Sequence, residues 1–471
     1  MATISAPAMG SVEGFSRPYV VSWNLTYRCN LACEHCYLDA GPTPLVGTEN
    51  FADRSELGTE ECFKVIEELA AFAPECVTIL TGGEPLLRRD ILEIVRRAAD
   101  RGLWVVVGTN GVRITENLAR RLADAGARGL SLSLDALDPD RHDRFRGVRG
   151  AWRNTVEGAG ILNRTGLPFI VQTTAGSHNL SELEAIADFA HDRLAAKVWN
   201  LYFLVPTGRG QFVSDITPAQ YDEVLASLYR IQGNYQGRML VNAKCAPHYI
   251  KTVLENALET GSKPAGAPIR TYSGGAGGCP AGTHYMGIRP NGDVTPCPYL
   301  PVFAGSLRSA RLSDLWTSSP LFTGIRQRTS LGGRCGECEM NPQCGGCRAR
   351  AYGMTGDVMA EDPLCTHTPG TFPPSLLRSF GVAGAVRSEE AGSADSAQTP
   401  GVRGIQYGLE SPATIEWDEE AAARMKKIPA FVRGMVVKAV EDSCRKNSID
   451  RVTVDELERI RARMPTPKMF G

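Results

Sequence analysis

The segment Cys29-Asn-Leu-Ala-Cys33-Glu-His-Cys36 follows directly after the β-rich run YVVSWNL at residues 19–25. Its spacing, C-x3-C-x2-C, offers only three thiolates, whereas a structural zinc ion takes four protein ligands. An iron–sulfur cluster on three cysteines keeps one iron that the protein does not hold, and this iron can bind a substrate or cofactor. A zinc knuckle or three buried thiols is the structural alternative. The segment therefore predicts a cluster with an open iron after the first strand.

The residues around this segment alternate between strand-like and helix-like stretches. Six β-rich runs occur. The first is the run at 19–25, and the others lie at 77–80, 103–108, 130–134, 169–173 and 198–205. Apolar residues recur at helical spacing in the intervening stretches 59–73, 90–101, 115–126 and 181–195. Repeated strand–helix units predict an α/β fold of parallel strands with right-handed crossovers, either an open sheet or a barrel. In such folds the chemistry gathers at the C-terminal ends of the strands.

Composition narrows the function classes. The chain has 471 residues, of which 43% are apolar and 22% charged, so it can bury a full core and hold several domains. Lys plus Arg (51) nearly equals Asp plus Glu (52), which disfavours a dedicated binder of nucleic acid or anionic membranes. The opening MATISAPAMG does not resemble a signal peptide, and no run reaches the roughly 18–20 apolar residues of a membrane span. The 14 cysteines therefore predict metal bound by reduced thiols in a cytoplasmic enzyme.

Glycines and polar residues lie at the ends of successive predicted strands. Thr81-Gly82-Gly83-Glu84-Pro85 follows the second strand, where the glycines would let the backbone approach a ligand closely. Each such residue taken alone is compatible with an ordinary loop role. Their regular placement predicts a common pocket formed by Gly82, Gly83, Glu84, Thr109, Asn110, Ser133, Asp135 and Gln172.

Seven further cysteines lie in a Gly-rich region of little periodicity, namely Cys279, Cys297, Cys335, Cys338, Cys344, Cys347 and Cys365. A zinc ribbon would separate its two CxxC pairs by about 15–20 residues, but here only five residues stand between Cys338 and Cys344. The ferredoxin run C-x2-C-x2-C-x3-C-P is also missing. The region predicts auxiliary metal sites, with zinc as the alternative. The isolated Cys62, Cys76 and Cys444 are predicted to be packing residues.

The three-cysteine segment, together with Gly82-Gly83-Glu84-Pro85 after the second strand, resembles the radical SAM superfamily over residues 19–210. The resemblance implies a partial (β/α)6 TIM-like barrel. It also implies a 4Fe–4S cluster on Cys29, Cys33 and Cys36, the catalytic residues, whose free iron takes S-adenosylmethionine (SAM). One electron would cleave SAM to methionine and a 5′-deoxyadenosyl radical. The Glu84 segment would hold the methionine amino group, and the other residues at the strand ends would meet the ribose and the carboxylate.

The second cysteine group resembles the SPASM extension of radical SAM enzymes, which carries one or two auxiliary iron–sulfur clusters. The interval from Cys344 to Cys347 is x2, where the extension usually has x3. By analogy, one cluster would be held by Cys335, Cys338, Cys344 and Cys365. Another would be held by Cys279, Cys297 and Cys347, which leaves one ligand position open. Cys245, another residue and the substrate are the candidates for that position.

Three further segments resemble radical SAM enzymes that process tetrapyrrole side chains, in the alternative haem pathway and in haem d1 synthesis. They are FLVPTGRG (203–210), KCAPH (244–248), and CGGCRARAY (344–352) running on to TGD (355–357) and EDP (361–363). The resemblance implies a porphyrin with carboxylate arms, which Arg209, Arg348 and Arg350 would bind, since arginine binds carboxylates bidentately. His248 or Cys245 would ligate a substrate iron, although a surface histidine and a buried thiol are equally good interpretations.

The C-terminal region adds a separate resemblance. WDEEA (417–421) and KIPAFVRG (427–434) resemble the small C-terminal domain of light-independent protochlorophyllide reductase, an enzyme that also handles a tetrapyrrole. A stripe of apolar residues at helical spacing and a capping box at Thr453–Glu456 predict that this unit is helical. The stripe comprises Ile428, Phe431, Val432, Met435, Val436, Ala439 and Val440.

These resemblances predict an enzyme that removes hydrogen beside a carboxyl-bearing carbon of a tetrapyrrole and then releases the carboxyl group. A ferredoxin- or flavodoxin-type protein would supply the electron. The main alternative is a SPASM peptide maturase, which would normally carry a winged-helix peptide-binding segment ahead of the first strand. No such segment is evident before residue 19. A non-catalytic iron–sulfur electron carrier would need neither the GGEP segment nor an open cluster site.

We therefore predict six regions along the chain. They are an N-terminal segment (1–18), a radical SAM core (19–210), a connecting region (211–278), a SPASM auxiliary iron–sulfur domain (279–367), a flexible linker (368–407) and a protochlorophyllide-reductase-like helical domain (408–471).

Overall fold

The computed structural model describes residues 15–42, 55–74, 76–213, 216–261, 278–380, 382, 415–425 and 430–463. Ten of its strands form one sheet. In chain order they are β1 (Val20–Asn24), β2 (Val77–Thr81), β3 (Trp104–Gly108), β4 (Gly129–Ser133), β5 (Phe169–Ala175), β6 (Val198–Phe203), β7 (Leu240–Lys244), β8 (Tyr285–Ile288), β9 (Asp293–Thr295) and β10 (Gly305–Ser306). Their spatial order is β10-β9-β8-β1-β2-β3-β4-β5-β6-β7, so the sheet has two edges and is an open sheet rather than a closed barrel.

Helices cover the outer side of this sheet, and further short helices lie in the cysteine-rich region and just after it. Those before residue 262 are α1 (Thr59–Phe72), α2 (Ile91–Asp100), α3 (Glu116–Asp124), α4 (Pro139–Arg146), α5 (Ala151–Thr165), α6 (Leu183–Asp188), α7 (Pro218–Asn234) and α8 (Tyr249–Thr260). Those after residue 278 are α9 (Leu312–Ser318), α10 (Pro320–Arg326), α11 (Gly333–Glu337), α12 (Arg348–Thr355) and α13 (Pro374–Ser379).

The predicted α/β fold is confirmed, and the structure adds strands to it. All six β-rich runs form strands that pair in parallel in sequence order. β7 extends the sheet beyond β6, and β8, from the cysteine-rich region, pairs in parallel with β1. The stretch 240–244 escapes prediction because Asn242 and Lys244 interrupt its apolar run. The cysteine-rich region is thus joined to the core by backbone hydrogen bonds.

Side chains divide between the two faces of the sheet. Alternate residues such as Trp23, Val107 and Leu201 pack into the main apolar core beneath the helices. Their neighbours along each strand face the other, interior side, where β6 and β7 pair Asn200 with Asn242 through their side-chain amides at 3.0 Å. Because the two faces alternate along every strand, polar side chains at the strand ends collect on this interior face.

Several predicted regions differ from the structure or fall outside it. α13 lies within the predicted linker, and Phe372 and Leu377 there are buried against α8, so the folded chain reaches at least residue 380. The remainder of that linker, residues 1–14 of the N-terminal segment and residues 262–277 lie outside the described residues. Within the part of the chain that the structure describes, no helix is both long and apolar enough to span a bilayer.

In its described residues, 415–425 and 430–463, the C-terminal unit contains three helices and two very short strands. They are β11 (Glu416–Trp417), α14 (Glu419–Met425), α15 (Ala430–Lys446), β12 (Arg451–Val452) and α16 (Val454–Arg463). Thr453 caps α16 by accepting a hydrogen bond from the amide of Glu456 at 3.3 Å, as predicted. Val436 and Val440 of the predicted stripe pack in this unit's core, while Ile428 and the side chains of Phe431, Val432 and Met435 lie outside the described part.

Candidate active site

The three N-terminal cysteines lie in one loop beyond the C-terminal end of β1, and each sulfur is approached by N–H donors. Cys29 Sγ accepts from the amide of Leu31 (3.4 Å), Cys36 Sγ from the amide of Ala40 (3.4 Å), and Cys33 Sγ from the guanidinium of Arg146 (3.6 Å). N–H···S contacts of this kind favour the thiolate over the thiol. The loop is therefore built to present sulfur to metal.

Glycines hold this loop against the segment that follows β2. The amide of Gly83 donates to Thr26 O (2.7 Å), and that of Glu84 donates to Arg28 O (2.9 Å). A Cβ at Gly83 would stand 2.3 Å from Arg28 O, and one at Gly82 would stand 2.8 Å from Thr26 O. These glycines thus allow the backbone after β2 to approach the segment that leads into the cysteine loop.

Arg209 also fastens the cysteine loop, which corrects its predicted role in binding substrate carboxylates. Its guanidinium donates to Cys33 O (2.9 Å), Ala40 O (2.8 Å) and the buried carboxylate of Asp39 (2.8 Å). All three N–H-bearing nitrogens are thus used within the protein. Arg209 therefore shapes the cysteine loop.

This assignment predicts the effect of Arg209→Met. The change leaves the Asp39 carboxylate buried without its cation, so the free energy of unfolding should fall by about 2–4 kcal/mol. Iron bound by the N-terminal cysteines should fall as well, as measured by iron analysis and by EPR of the reduced protein. Arg209→Lys should retain part of the stability and part of the bound iron. If Arg209→Met kept full iron content and lost only substrate affinity, the original carboxylate-binding interpretation would stand.

Glu84, Thr109 and Asn110 come together next to Cys29, as predicted for a common pocket. The buried Glu84 carboxylate accepts from the Thr109 hydroxyl (2.9 and 3.0 Å) and the Asn110 amide (2.9 Å). The Asn110 side chain in turn reaches Asn30 Oδ1 at 2.9 Å. Burial raises the pKa of Glu84 to about 7, so this carboxyl exchanges its proton near neutrality.

Asp135 is paired inside the protein, and its partner links it to the cluster loop. Its carboxylate forms a salt bridge with Arg146, the residue that also contacts Cys33, and accepts from the amide of Thr174 at 2.8 Å. Burial opposes ionisation of Asp135, but Arg146 overcomes this and holds the pKa at about 2. Ser133 is half-buried at the end of β4, and Gln172 Nε2 lies 3.4 Å from the hydroxyl of Tyr202 on the same interior face.

A first auxiliary group gathers four thiols and includes Cys245. Cys347 contacts the thiols of both Cys245 and Cys279, and Cys297 packs beside them. Cys245 adopts a left-handed backbone conformation with φ of 56°, which is uncommon for a residue other than glycine. Arg350 fastens this strained position by donating to Cys245 O at 2.9 Å. Of the three candidates for the open ligand position, the geometry favours Cys245.

A second auxiliary group consists of Cys335, Cys338, Cys344 and Cys365, whose thiols line one cavity. The amide of Met340 donates to Cys338 Sγ (3.4 Å), and the guanidinium of Arg348 approaches Cys335 Sγ (3.9 Å). The four cysteines thus surround a space and receive N–H donors, as the N-terminal ones do. The partition expected from the SPASM resemblance agrees with this arrangement.

Three residues predicted to touch the substrate are instead buried around these cysteines. Arg348 donates to Val358 O (2.9 Å) and Ala360 O (2.7 Å), and Arg350 forms a salt bridge with Asp362 (3.0 Å). His248 lies between the Tyr221 hydroxyl (3.0 Å) and Asp362 (3.4 Å), and burial lowers the pKa of its imidazole to about 4. These side chains hold the auxiliary loops in place. Their polar groups contact other groups of the protein and do not line the interior face of the sheet.

The spacing of the thiols distinguishes a cluster from a single ion. Throughout the described residues, only one set of three or more ligand atoms lies within 4.8 Å of one another, and it consists of Cys338, Glu339 and His367. Glu339 is already hydrogen-bonded to His367 (3.0 Å) and to the amide of Gly370 (2.7 Å). A zinc ion lies about 2.3 Å from each sulfur, so its thiolates would have to be closer together than the sulfurs of Cys29, Cys33 and Cys36 are. The cysteines of an iron–sulfur cluster bind different iron ions, so their sulfurs lie farther apart. The residues therefore fit iron–sulfur clusters. Cys62, Cys76 and Cys444 lie in apolar cores, as predicted.

Family comparisons agree with this geometry. A family model described as the Radical SAM superfamily matches residues 23–190, and one for an iron-sulfur cluster-binding domain, SPASM, matches residues 279–348. A third, for the proto-chlorophyllide reductase 57 kD subunit, matches residues 417–461. An AdoMet-dependent heme synthase of Methanosarcina barkeri is 36% identical over 353 residues, which cover 75% of this chain and 97% of that protein. The chain belongs to the radical SAM superfamily.

Two further matches locate this radical SAM enzyme among its relatives. A pre-heme d1 synthase of Dinoroseobacter shibae is 31% identical over 368 residues, which cover 75% of this chain and 87% of that protein. The crystal structure of Streptococcus suis SuiB bound to S-adenosylmethionine superimposes with a TM-score of 0.58 at 17% identity, covering 75% of this chain and 78% of that one. The latter likeness supports the fold. The enzyme's cofactors are SAM and iron–sulfur clusters.

Several residues of the site escaped the sequence analysis. Arg146 sits at the end of α4, where the sequence reads as an exposed, charged helix. Asp362 was noted only as part of a motif, and Tyr37 was not noted. Tyr299 was not noted at all, although its ring lies 4.7 Å from that of Tyr37 and 6.2 Å from that of Tyr202. The proximity of Tyr37 and Tyr299 to cysteines was the available signal.

Proposed function

We propose that this radical SAM enzyme acts on the carboxylate side chains of a tetrapyrrole, in the formation of haem or haem d1. The observation that carries the proposal is a set of three tyrosines between two metal sites. Tyr37 follows Cys36 and Tyr299 lies near Cys245, while Tyr202 adjoins Tyr299 from β6. All three residues are half-buried. Flat aromatic surfaces suit a flat, apolar macrocycle.

Two relatives support the tetrapyrrole as substrate. The names of the Methanosarcina and Dinoroseobacter proteins refer to synthesis of heme and of pre-heme d1, and each of these proteins aligns with 75% of this chain. The proto-chlorophyllide reductase match at residues 417–461 is consistent with the same substrate class. The peptide maturase remains the second candidate, because SuiB, whose fold this chain shares, has also been solved bound to its precursor peptide SuiA.

The proposed reaction converts a propionate arm to a vinyl group, or shortens an arm, by loss of its carboxyl group. Loss of one hydrogen atom, CO2 and one electron balances the propionate-to-vinyl change. When bound, the cluster on Cys29, Cys33 and Cys36 and SAM supply the one-electron chemistry that removes hydrogen from such a carbon. The protein's part is to orient one C–H bond and to exclude water. We assign Gly82, Gly83, Glu84, Thr109, Asn110, Ser133, Asp135 and Gln172 to the surroundings of SAM.

The two auxiliary cysteine groups would hold clusters that accept the electron released by the reaction. We assign Cys245, Cys279, Cys297 and Cys347 to one cluster and the cavity-lining Cys335, Cys338, Cys344 and Cys365 to another. We further propose a ferredoxin- or flavodoxin-type electron donor and a cytoplasmic location, where all 14 cysteines, which are free in the structure, would stay reduced.

The test combines a cysteine variant with a substrate panel. The enzyme is reconstituted with iron and sulfide and then incubated with dithionite, SAM and sirohaem- or coproporphyrin-type compounds, with products read by mass spectrometry. We expect 5′-deoxyadenosine and a product that has lost carboxyl groups. The triple change Cys29→Ala, Cys33→Ala, Cys36→Ala should abolish both, while Cys62→Ala, which alters a packing thiol, should retain them. Deoxyadenosine formation without carboxyl loss across the panel would favour a peptide substrate.

A further inference from the structure

The N-terminal cysteine loop reaches the surface of the molecule. Cys33 and Cys36 are half-buried, and Ala32 and Glu34, which flank Cys33, are exposed. The rate of electron transfer falls steeply with distance, so a protein that reduces a cluster has to dock close to it. The exposed side of this loop is therefore a suitable place for an electron donor to approach the cysteines.

Two other segments pack against this loop and border its exposed side. The turn after α4 is joined to the loop because the amide of Ala32 donates to Arg146 O at 3.1 Å. The segment after β3 is joined to it through the Asn110 side chain, which donates to Asn30 Oδ1 at 2.9 Å. The three segments therefore lie side by side at the C-terminal end of the sheet.

Four exposed arginines lie on these segments and form what we call the arginine surface, namely Arg28, Arg113, Arg144 and Arg149. Arg28 directly precedes the first cysteine of the loop. Val112 and Val148 pack in one apolar cluster with the cysteines of the loop, and each directly precedes one of these arginines. Among the described residues, none of the four arginines has an ion pair or a side-chain hydrogen bond. Their charges are therefore available to a partner in solution.

Acidic residues are nearly lacking from the same segments. Residues 28–36, 110–114 and 144–150 contain one carboxylate, that of Glu34, and the charge of their remaining arginine, Arg146, is matched by its buried salt bridge. The whole chain has a net charge of -1, so the excess of positive charge here is local. A local excess of this kind attracts and orients an acidic partner and accelerates its association.

We infer that the arginine surface is the docking site of an acidic ferredoxin that delivers the electron to the N-terminal cluster. The inference rests on the proposed function, because it takes the electron donor to be a ferredoxin-type protein. One electron leaves the reduced ferredoxin, which is thereby oxidised, and reduces the cluster. Complexes that transfer electrons are small and short-lived, with less than about 1,200 Å² of buried surface, so a few exposed arginines can define such an interface.

The test measures binding separately from turnover. Reconstituted enzyme is titrated with oxidised plant-type ferredoxin in a calorimeter at low ionic strength. Arg144→Glu and Arg149→Glu should each raise the Kd by about 5-fold to 20-fold, because each replaces an attraction by a repulsion. The difference from the parent should shrink at high salt, which screens exposed charges. Arg113 is kept unchanged, because its charge also opposes the rise in the pKa of Glu84.

Deoxyadenosine formation shows whether binding serves electron delivery. With reduced ferredoxin as the donor and SAM present, the rate at limiting ferredoxin should fall in both variants by a factor similar to the change in Kd. With dithionite, a small reductant that needs no docking surface, both variants should match the parent. Equal dithionite-driven rates also show that the cluster is intact.

Arg128→Glu is the matched control. It makes the same change of charge at an exposed arginine at the opposite end of the sheet, where Arg128 lies over the ring of Trp104 at 5.2 Å. Its Kd for ferredoxin should equal that of the parent. If Arg144→Glu and Arg149→Glu bind ferredoxin as Arg128→Glu does, the docking site is wrong. If ferredoxin neither binds nor reduces the parent, the ferredoxin donor is wrong as well, while the tetrapyrrole reaction, which is tested with dithionite, stands.

Discussion

Asp362→Asn should lower the free energy of unfolding by about 3–5 kcal/mol and empty the first auxiliary group, because it leaves the buried Arg350 charge unpaired. Both side chains are fully buried, and their 3.0 Å salt bridge connects two cysteines of that group. Asp362 accepts from the amide of Cys347 at 2.7 Å, and Arg350 donates to Cys245 O at 2.9 Å. Urea denaturation, iron analysis and EPR would measure these losses, while the N-terminal cluster should remain.

The neighbouring residue gives a control. Glu361→Gln removes a salt bridge to Arg334 in which both side chains are more than a third exposed, so its expected cost is about 0–1 kcal/mol. The double change Asp362→Asn, Arg350→Met should recover part of the lost stability, because no uncompensated charge remains. Equal destabilisation by Asp362→Asn and Glu361→Gln would contradict the assigned role of the buried pair.

The effect of Asp362→Asn should also depend on pH. Burial would raise the pKa of the Asp362 carboxyl, but Arg350 and His248 hold it below its usual range. A depressed pKa in the folded state stabilises the protein above the unfolded pKa, about 3.9 for aspartate, and the stabilisation is lost on acidification. The advantage of the parent over the variant should therefore be complete near neutrality and shrink below about pH 4.

The fold was predictable to the extent that strands are continuous apolar runs. β2 and β6 are mostly buried on both faces of the sheet, so 77–80 and 198–205 stand out in the sequence as apolar runs. β7 and β8 did not, because Asn242 and Lys244 face the interior and Gly287 interrupts the other strand. Gly287 has little room for a side chain, since a Cβ there would meet the Thr295 hydroxyl at 2.5 Å. Strands that contribute polar side chains to a site therefore escape a reading based on hydrophobicity.

The cysteines and the residues at the strand ends could be predicted for a similar reason, whereas the arginines could not. Parallel strands end at one edge, so residues such as Glu84 and Asn110 must converge once the strands are known. A long side chain can reach in several directions from one backbone position. Arg209 and Arg348 could each have faced a substrate, but metal-binding loops contain many backbone carbonyls outside helices and strands, and those carbonyls need donors. Both arginines satisfy that need instead.

Arg146→Met should likewise cost about 3–5 kcal/mol in free energy of unfolding, because it leaves the fully buried Asp135 carboxylate without its cation. The pKa of about 2 for Asp135 shows how strongly Arg146 favours the ionised form. The corresponding stabilisation should be present above about pH 4 and vanish as the pH falls through about 2. Urea denaturation at pH 7 and at low pH, with the parent measured alongside, would show this dependence.

Arg146 has a second consequence that a purely structural residue would not have. Its guanidinium lies 3.6 Å from Cys33 Sγ, so its removal takes a positive charge and an N–H donor away from a cluster ligand. Positive charge and hydrogen bonds at the sulfurs raise the reduction potential of a cluster, so Arg146→Met should make the N-terminal cluster harder to reduce. EPR-monitored redox titration of the reconstituted enzyme would measure the shift. Asp135→Asn combined with Arg146→Met should recover stability but only part of the potential, because the N–H donor to Cys33 stays absent.

The same helix supplies a control for both measurements. Arg141, also on α4, pairs with Glu182 at 2.9 Å, and the arginine of that pair is more than a third exposed. Arg141→Met should cost about 0–1 kcal/mol and leave the potential unchanged, because an exposed ion pair contributes little and lies on no cluster ligand. If Arg146→Met behaved like Arg141→Met in both measurements, Arg146 would have no part in holding or tuning the N-terminal cluster. If Arg146→Met lowered stability but left the reduction potential unchanged, the role of Arg146 would be limited to its salt bridge with Asp135.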